Sequence, residues 1–107
     1  MQVTEPTLER VNQAIKAILD TLGEPENDLH SEALSAFYRG DYQLVKRLAT
    51  TNLSDSYCRA LGYLGGALKL TPNTDTILAE SARATADFVR DRTLSRLGSE
   101  IANALSS

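Results

Sequence analysis

Leu8, Val11, Ala14, Ile15, Ile18, Leu19 and Leu22 recur at steps of three and four residues. Glu9, Arg10, Asn12, Gln13, Lys16 and Asp20 fall between them. That period puts the apolar set on one stripe of a helix and the polar set opposite. Thr4 and Pro6 suit the start of this helix, and Gly23 followed by Pro25 suits its end. A polar connector runs from Glu24 to Asp28, after which Asn27 or Asp28 caps a second helix. Leu29, Ala33, Ala36 and Phe37 face inward on it, with Leu34 beside them. It closes near Arg39, because Gly40 readily takes the left-handed conformation that ends a helix.

Asp41 caps a third helix whose apolar face is Tyr42, Leu44, Val45, Leu48 and Ala49; Thr50-Thr51-Asn52 ends it. Ser54 or Asp55 starts a fourth, running to about Leu70 with Tyr57, Cys58, Leu61, Leu64 and Leu68 inward. Gly62, Gly65 and Gly66 lie inside it at about 1 kcal/mol each in helix propensity. Close approach of a neighbouring backbone, or of a bound helix, explains them better than a strand, for which there is no alternation. Thr71-Pro72-Asn73-Thr74 breaks the pattern. Thr74 or Asp75 then opens a long helix through Ile77, Leu78, Ala82, Ala86, Phe88, Val89 and Leu97. Gly98 is expected to interrupt it before a last fraying segment with Ile101, Ala102 and Leu105.

About five helices joined by short connectors predict an all-α fold of antiparallel helical hairpins. The 107 residues suffice for one domain, residues 1–107, with a modest core. Hydrophobic residues at 42% and charged residues at 23% are ordinary for a folded chain. A net charge of -3, spread over both signs, supplies no field to hold a phosphate backbone, so no nucleic-acid partner is expected. Arg83, Arg90, Arg92 and Arg96 on the long helix are interleaved with Glu80, Asp87 and Asp91. Same-helix ion pairs on a solvated face account for them.

The start, MQVTEPTLERV, lacks the basic and apolar regions of a signal peptide. The most apolar window, Ala60 to Leu70, is about half of the ~20 residues that a membrane span needs. With the single cysteine, Cys58, these features predict a cytoplasmic protein without membrane insertion.

Catalytic chemistry has little to stand on. His30 is the sole histidine, read as a surface residue in a first helical turn, and Cys58 is read as a small buried apolar residue. A Cys58–His30 nucleophilic pair has no local signature in its favour. One His, one Cys and scattered carboxylates supply no metal-ligand spacing, and the glycines fit no phosphate loop. No enzyme activity, metal or cofactor is expected. Asn52-Leu53-Ser54 is a formal glycosylation acceptor that matters only to a secreted chain.

The stretch Ala36 to Leu44, AFYRGDYQL, breaks a bulky apolar run with Arg39-Gly40-Asp41. An adhesive Arg-Gly-Asp loop is one reading; a tight corner between two helices is the better one, because both flanks are helical. The order small, aromatic, Gly-Asp-Tyr resembles the middle of a tetratricopeptide repeat, in which such a turn links helix A to helix B. Ala33 holds the small position and Ala36-Phe37 the aromatic one. Val45 and Ala49 depart from the pattern in helix B, while Ala60-Leu61-Gly62-Tyr63 echoes helix A of a following repeat.

Arg39-Gly40-Asp41-Tyr42 and Cys58-Arg59-Ala60-Leu61-Gly62-Tyr63-Leu64-Gly65 also make the chain resemble the tetratricopeptide-like needle-subunit chaperones of bacterial type III secretion. The resemblance covers residues 28–70 and is silent elsewhere: the N-terminal third carries no diagnostic motif, and the long last helix is more charged than the family pattern implies. It implies a groove that clasps an amphipathic helix of a client, preventing the client's self-association, beside a small helical co-chaperone. Phe37, Tyr38, Tyr42, Tyr57, Leu61, Gly62, Tyr63, Gly65 and Gly66 are the residues for such a partner-binding groove, with filling of the protein's own core as the alternative for the aromatic side chains. A small transcriptional or signalling regulator, dimerising through Leu8 to Leu22, is the second reading. Hetero- and homo-oligomers both stay open.

Overall fold

In the computed structural model, which describes residues 8–106, every regular element is a helix. These are α1 (Leu8–Leu22), α2 (Asp28–Tyr38), α3 (Tyr42–Thr51), α4 (Ser56–Ala67) and α5 (Thr74–Ser106). The fold is all-α among the described residues, as the periodicity predicts. The start expected at Thr4 and Pro6 lies outside them.

The caps decide where the chain turns. Asn27 accepts the His30 N–H at 2.9 Å through its side chain, Asp41 accepts that of Leu44 at 3.2 Å, and Asp55 accepts that of Cys58 at 3.1 Å. Each satisfies a donor that the first helical turn leaves without a partner. At the corner, Gly40 takes φ 79°, and the N–H of Asp41 returns to the Ala36 carbonyl at 2.9 Å. Arg39-Gly40-Asp41 is therefore a helix-closing turn whose carboxylate is engaged as a cap.

α4 is the central element and packs against the other four helices. Tyr57, Cys58, Ala60, Leu61, Leu64 and Ala67 are fully buried on it, facing Val11 and Leu22 of α1, Ala33 and Ala36 of α2, and Val45 of α3. The apolar stripe of α1 that a dimer through Leu8–Leu22 would use is packed within this core, through Val11, Ile15 and Leu22.

α4 ends at Ala67, short of the expected Leu70. Lys69 and Leu70 donate to the Gly66 and Ala67 carbonyls in tight three-residue turns. The buried Thr74 hydroxyl also donates to Ala67 O at 3.3 Å while accepting the Thr71 N–H at 2.9 Å. The carbonyls that would continue the helix are thereby taken, and Leu70 leaves with φ 54°.

α5 differs from expectation twice. Its buried face is Thr74, Ser81, Ala84, Thr85 and Phe88, whereas Ala82 and Ala86 are exposed. Hydroxyls enter this core because each has a carbonyl to meet: Ser81 donates to Ala60 O at 2.9 Å and Thr85 to Ser81 O at 2.8 Å. Gly98 does not interrupt the helix, which runs unbroken for 33 residues. At about 1.5 Å per residue it is ~50 Å long, against a longest molecular dimension of 62 Å. α1 lies parallel to its first half, with Arg10 on Asp75 at 2.8 Å at one end and Arg92 reaching the Leu22 carbonyl at 3.5 Å at the other. Beyond Arg92, every residue from Thr93 to Leu105 is exposed.

The ion pairs expected on α5 form, Glu80 with Arg83 at 3.1 Å and Asp87 with Arg90 at 3.2 Å. Asp87 also lies 3.8 Å from Arg59 of α4. No helix among the described residues is long and apolar enough to cross a membrane.

Candidate functional site

A cavity of about 560 Å³ opens between α3 and α4, lined by Tyr42, Gln43, Lys46, Ala49 and Thr50 from α3, and by Leu53 beyond it. α4 and its end contribute Arg59, Gly62, Tyr63, Gly65, Gly66 and Lys69. The glycines shape this groove by bringing α3 close. A Cβ on Gly62 would stand 3.0 Å from the Ala49 methyl, and one on Gly65 would stand 3.3 Å from the Tyr42 ring. Two helices meeting through hydrogen and methyl contacts leave a shallow trough between their outer faces. The side chains of Tyr42 and Tyr63 stand on its walls with their rings partly in solvent, 38% and 37% exposed.

Of the nine residues predicted to form a groove, the structure brings five together here: Tyr42, Gly62, Tyr63, Gly65 and Gly66. Three belong to the core instead, since Tyr57 and Leu61 are fully buried and Phe37 nearly so. The reason is register. Tyr57, Leu61 and Leu64 follow one inward stripe of α4, and Gly62 and Tyr63 fall on the next faces around. Tyr38 is exposed at 67% but lies outside the groove, against the edge of Phe37 at 6.1 Å between ring centroids.

Sequence reasoning missed Gln43, Lys46, Ala49, Thr50, Leu53, Arg59 and Lys69 as groove residues. Leu53, an apolar residue in a connector, is 67% exposed, and its isolation among polar neighbours was the available signal. The three cations gave none, because a Lys or Arg on a helix ordinarily marks a solvated face. Together they make the groove one-signed: its lining carries Lys46, Arg59 and Lys69 and no carboxylate. Arg59 is held there by Asp87, with its Nε buried and unpartnered.

His30 and Cys58 come together elsewhere, around Asp55. His30 is buried, not on the surface as expected; its Nε2 lies 2.8 Å and 3.0 Å from the two Asp55 carboxylate oxygens. Its ring lies flat on Tyr57, whose own ring meets Phe88 edge-on at 5.3 Å. Burial in this apolar stack, where Asp55 meets Nε2 and Tyr57 offers a ring to stack on while Nδ1 is buried without a hydrogen-bond partner, costs less than it would for a lone imidazole.

Burial pushes the Cys58 thiol up to about 12, and the charge and hydrogen bond of Asp55 add to the effect. A fully buried thiol held protonated is a poor nucleophile, so the proximity of Cys58 and His30 to one carboxylate reads as core architecture. Burial likewise pushes the Tyr57 hydroxyl up to about 12. Among the described residues no group of three or more His, Cys, Asp or Glu is placed to hold a metal ion. Comparison with protein-family models, with curated proteins and with solved structures finds no match to this chain.

Proposed function

We propose that this chain is a non-enzymatic protein-binding module that takes an amphipathic helix of a partner into the α3–α4 groove. The observation that carries the reading is the pairing of an apolar, glycine-floored trough with Lys46, Arg59 and Lys69 in a lining that contains no carboxylate, Arg59 being paired with Asp87 outside it. A helix with apolar residues at i, i+3, i+4 and i+7 and acidic residues along one edge meets both requirements. Burial of the apolar stripe supplies about 25 cal/mol per Å² before association costs. Tyr42 and Tyr63 are the anchors, being large and partly exposed on the walls of the groove.

The resemblance of residues 28–70 to needle-subunit chaperones suggests the biological form of this activity. The partner would be a subunit that polymerises through the same helix, and masking the helix would keep it monomeric. A cytoplasmic setting belongs to the same proposal.

The test is fluorescence anisotropy with a labelled amphipathic peptide carrying Leu at i, i+3, i+4 and i+7 and Glu along one edge. We expect saturable binding that weakens at high salt and weakens at least tenfold in Tyr63→Ala and in the Lys46→Glu, Lys69→Glu double variant. A Lys-edged peptide of the same apolar pattern should bind less well. Equal affinity for the two peptides, or binding indifferent to both variants, would refute the reading.

A further inference from the structure

The α3–α4 groove has two unlike ends. At one of them the Tyr42 ring packs on Gly65, and Lys69 follows about one turn beyond that glycine. Further along, Ala49 meets Gly62, and past that contact come Leu53 of the connector and Arg59. At about 1.5 Å per residue, Arg59 and Lys69 stand roughly 15 Å apart along the axis of α4, about three turns of a bound helix. The charges divide in the same way. Arg59 is tied to Asp87 at 3.8 Å, whereas no ion pair among the described residues involves Lys46 or Lys69. Lys46 lies one turn along α3 from Tyr42, so the unpaired positive charge gathers toward the Tyr42 end. Asp41, beside that end, is engaged as the α3 cap and is not part of the lining. The far end presents the exposed Leu53 and an arginine already matched.

We propose that the groove reads the direction of the helix it takes. The partner helix lies parallel to α4, with its last turn, and the acidic residues of that turn, at Lys46 and Lys69. Its apolar first turns lie over Ala49, Gly62 and Leu53. This inference rests on the helix-in-groove reading above and adds to it a polarity and a place for the partner's carboxylates.

The order of contacts, Tyr42 on Gly65 and Ala49 on Gly62, makes α3 and α4 antiparallel. Their own dipoles oppose each other and largely cancel, which leaves the two lysines to choose the direction. A helix ends in carbonyls without intrahelical partners, equivalent to about half a negative charge, and a cation at that end stabilises it. Laid the other way, the same helix would bring its positive first turn to Lys46 and Lys69. Its acidic last turn would then meet Arg59, whose charge Asp87 already answers. Carboxylates in a last turn are disfavoured in an isolated helix, because the dipole repels them, and the lysines offset that repulsion. Length agrees: apolar positions i, i+3, i+4 and i+7 occupy about 10 Å, leaving about one turn of the trough for the acidic residues.

The test uses two capped peptides of identical composition, each with Leu at i, i+3, i+4 and i+7. One carries its Glu pair in the last turn and the other in the first. In anisotropy titrations of the full chain at low salt, the first peptide should bind at least about fivefold more tightly. Lys69→Gln should remove most of that preference while the melting temperature holds, because the Lys69 side chain is exposed and outside the core. Direction is read separately by NMR, with a nitroxide on one end of the tighter peptide. A nitroxide on its C-terminus should broaden the amide signals of Tyr42 and Lys69, and one on its N-terminus those of Leu53 and Arg59. Saturable binding with the opposite broadening, with both ends broadening both sets, or with equal affinity for the two peptides would overturn the polarity and leave the groove standing. Binding that broadens none of these amides would overturn the groove and the polarity together.

Discussion

The imidazole of His30 lies flat on the phenol ring of Tyr57, with ring centroids 4.2 Å apart and 6° between the planes. Stacking fixes the ring's plane, and the fixed plane aims Nε2 at the Asp55 carboxylate. The same carboxylate caps α4 by accepting the Cys58 N–H at 3.1 Å. One side chain thus ties the start of α2 to the start of α4, with Phe88 of α5 closing the cluster from the side.

Removing that carboxylate should cost more than an ordinary cap. Asp55→Ala loses an N-cap, about 1 kcal/mol, and strands a buried His30 donor, about 1–3 kcal/mol. We expect a total of about 2–4 kcal/mol from urea denaturation. Asp55→Asn keeps an acceptor for the cap and should lose less than Asp55→Ala. Equal stability of Asp55→Ala and wild type would show that the cluster contributes nothing.

Stability should fall in alkali. The folded protein holds the Cys58 proton more tightly than the unfolded chain, from an ordinary 9.0 up to about 12, and the Tyr57 proton from 10.0 up to about 12. Protonated forms favour the fold, so this contribution is complete below about pH 9 and is lost as pH climbs toward 12. Thermal melts across that interval should show a steady drop in Tm. In Cys58→Ala the drop should begin about one pH unit later, where Tyr57 alone remains to titrate.

Gly62 should punish substitution despite its place inside a helix. Alanine normally gains about 1 kcal/mol over glycine there. The new methyl would meet the Ala49 methyl at 3.0 Å, and both are fixed to helix backbones, so α3 must move away. We expect Gly62→Ala to destabilise by about 1 kcal/mol. In an Ala49→Gly background the same change should stabilise. A double-mutant cycle by chemical denaturation reads the change of sign.

Leu70 is a site where a smaller residue should help. It holds φ 54° at the end of the α4 turn while its side chain is 39% exposed. The left-handed conformation costs about 1–2 kcal/mol for a residue with a Cβ, and partial exposure limits the hydrophobic loss. Leu70→Gly should raise stability by about 0.5 kcal/mol, offset in part by the entropy of glycine in the unfolded chain. A lower Tm for this variant would mean that the half-exposed side chain packs more usefully than its surroundings indicate.

What the sequence determined was the local part. Periods of three and four, capping side chains at Asn27, Asp41 and Asp55, and breakers at Gly23, Gly40 and Pro72 depend on residues within a turn of one another, so helices and corners were legible from the order of residues alone, except for the end of α4 at Ala67 and the unbroken run of α5 through Gly98. The faces were legible in part. Phe37, Tyr57 and Leu61 stood both on the expected inward stripes and among the groove candidates, and the packing of α4 at the centre decided that they go inward while Tyr42 and Tyr63 stay at the rim. Ser81 and Thr85 fall outside the apolar set expected on α5, yet each finds a carbonyl within reach and enters the core. His30 read as a surface residue because its partners, Asp55 and Tyr57, lie on another helix. Burial is settled by what arrives from distant parts of the chain, and no short-range pattern records that arrival.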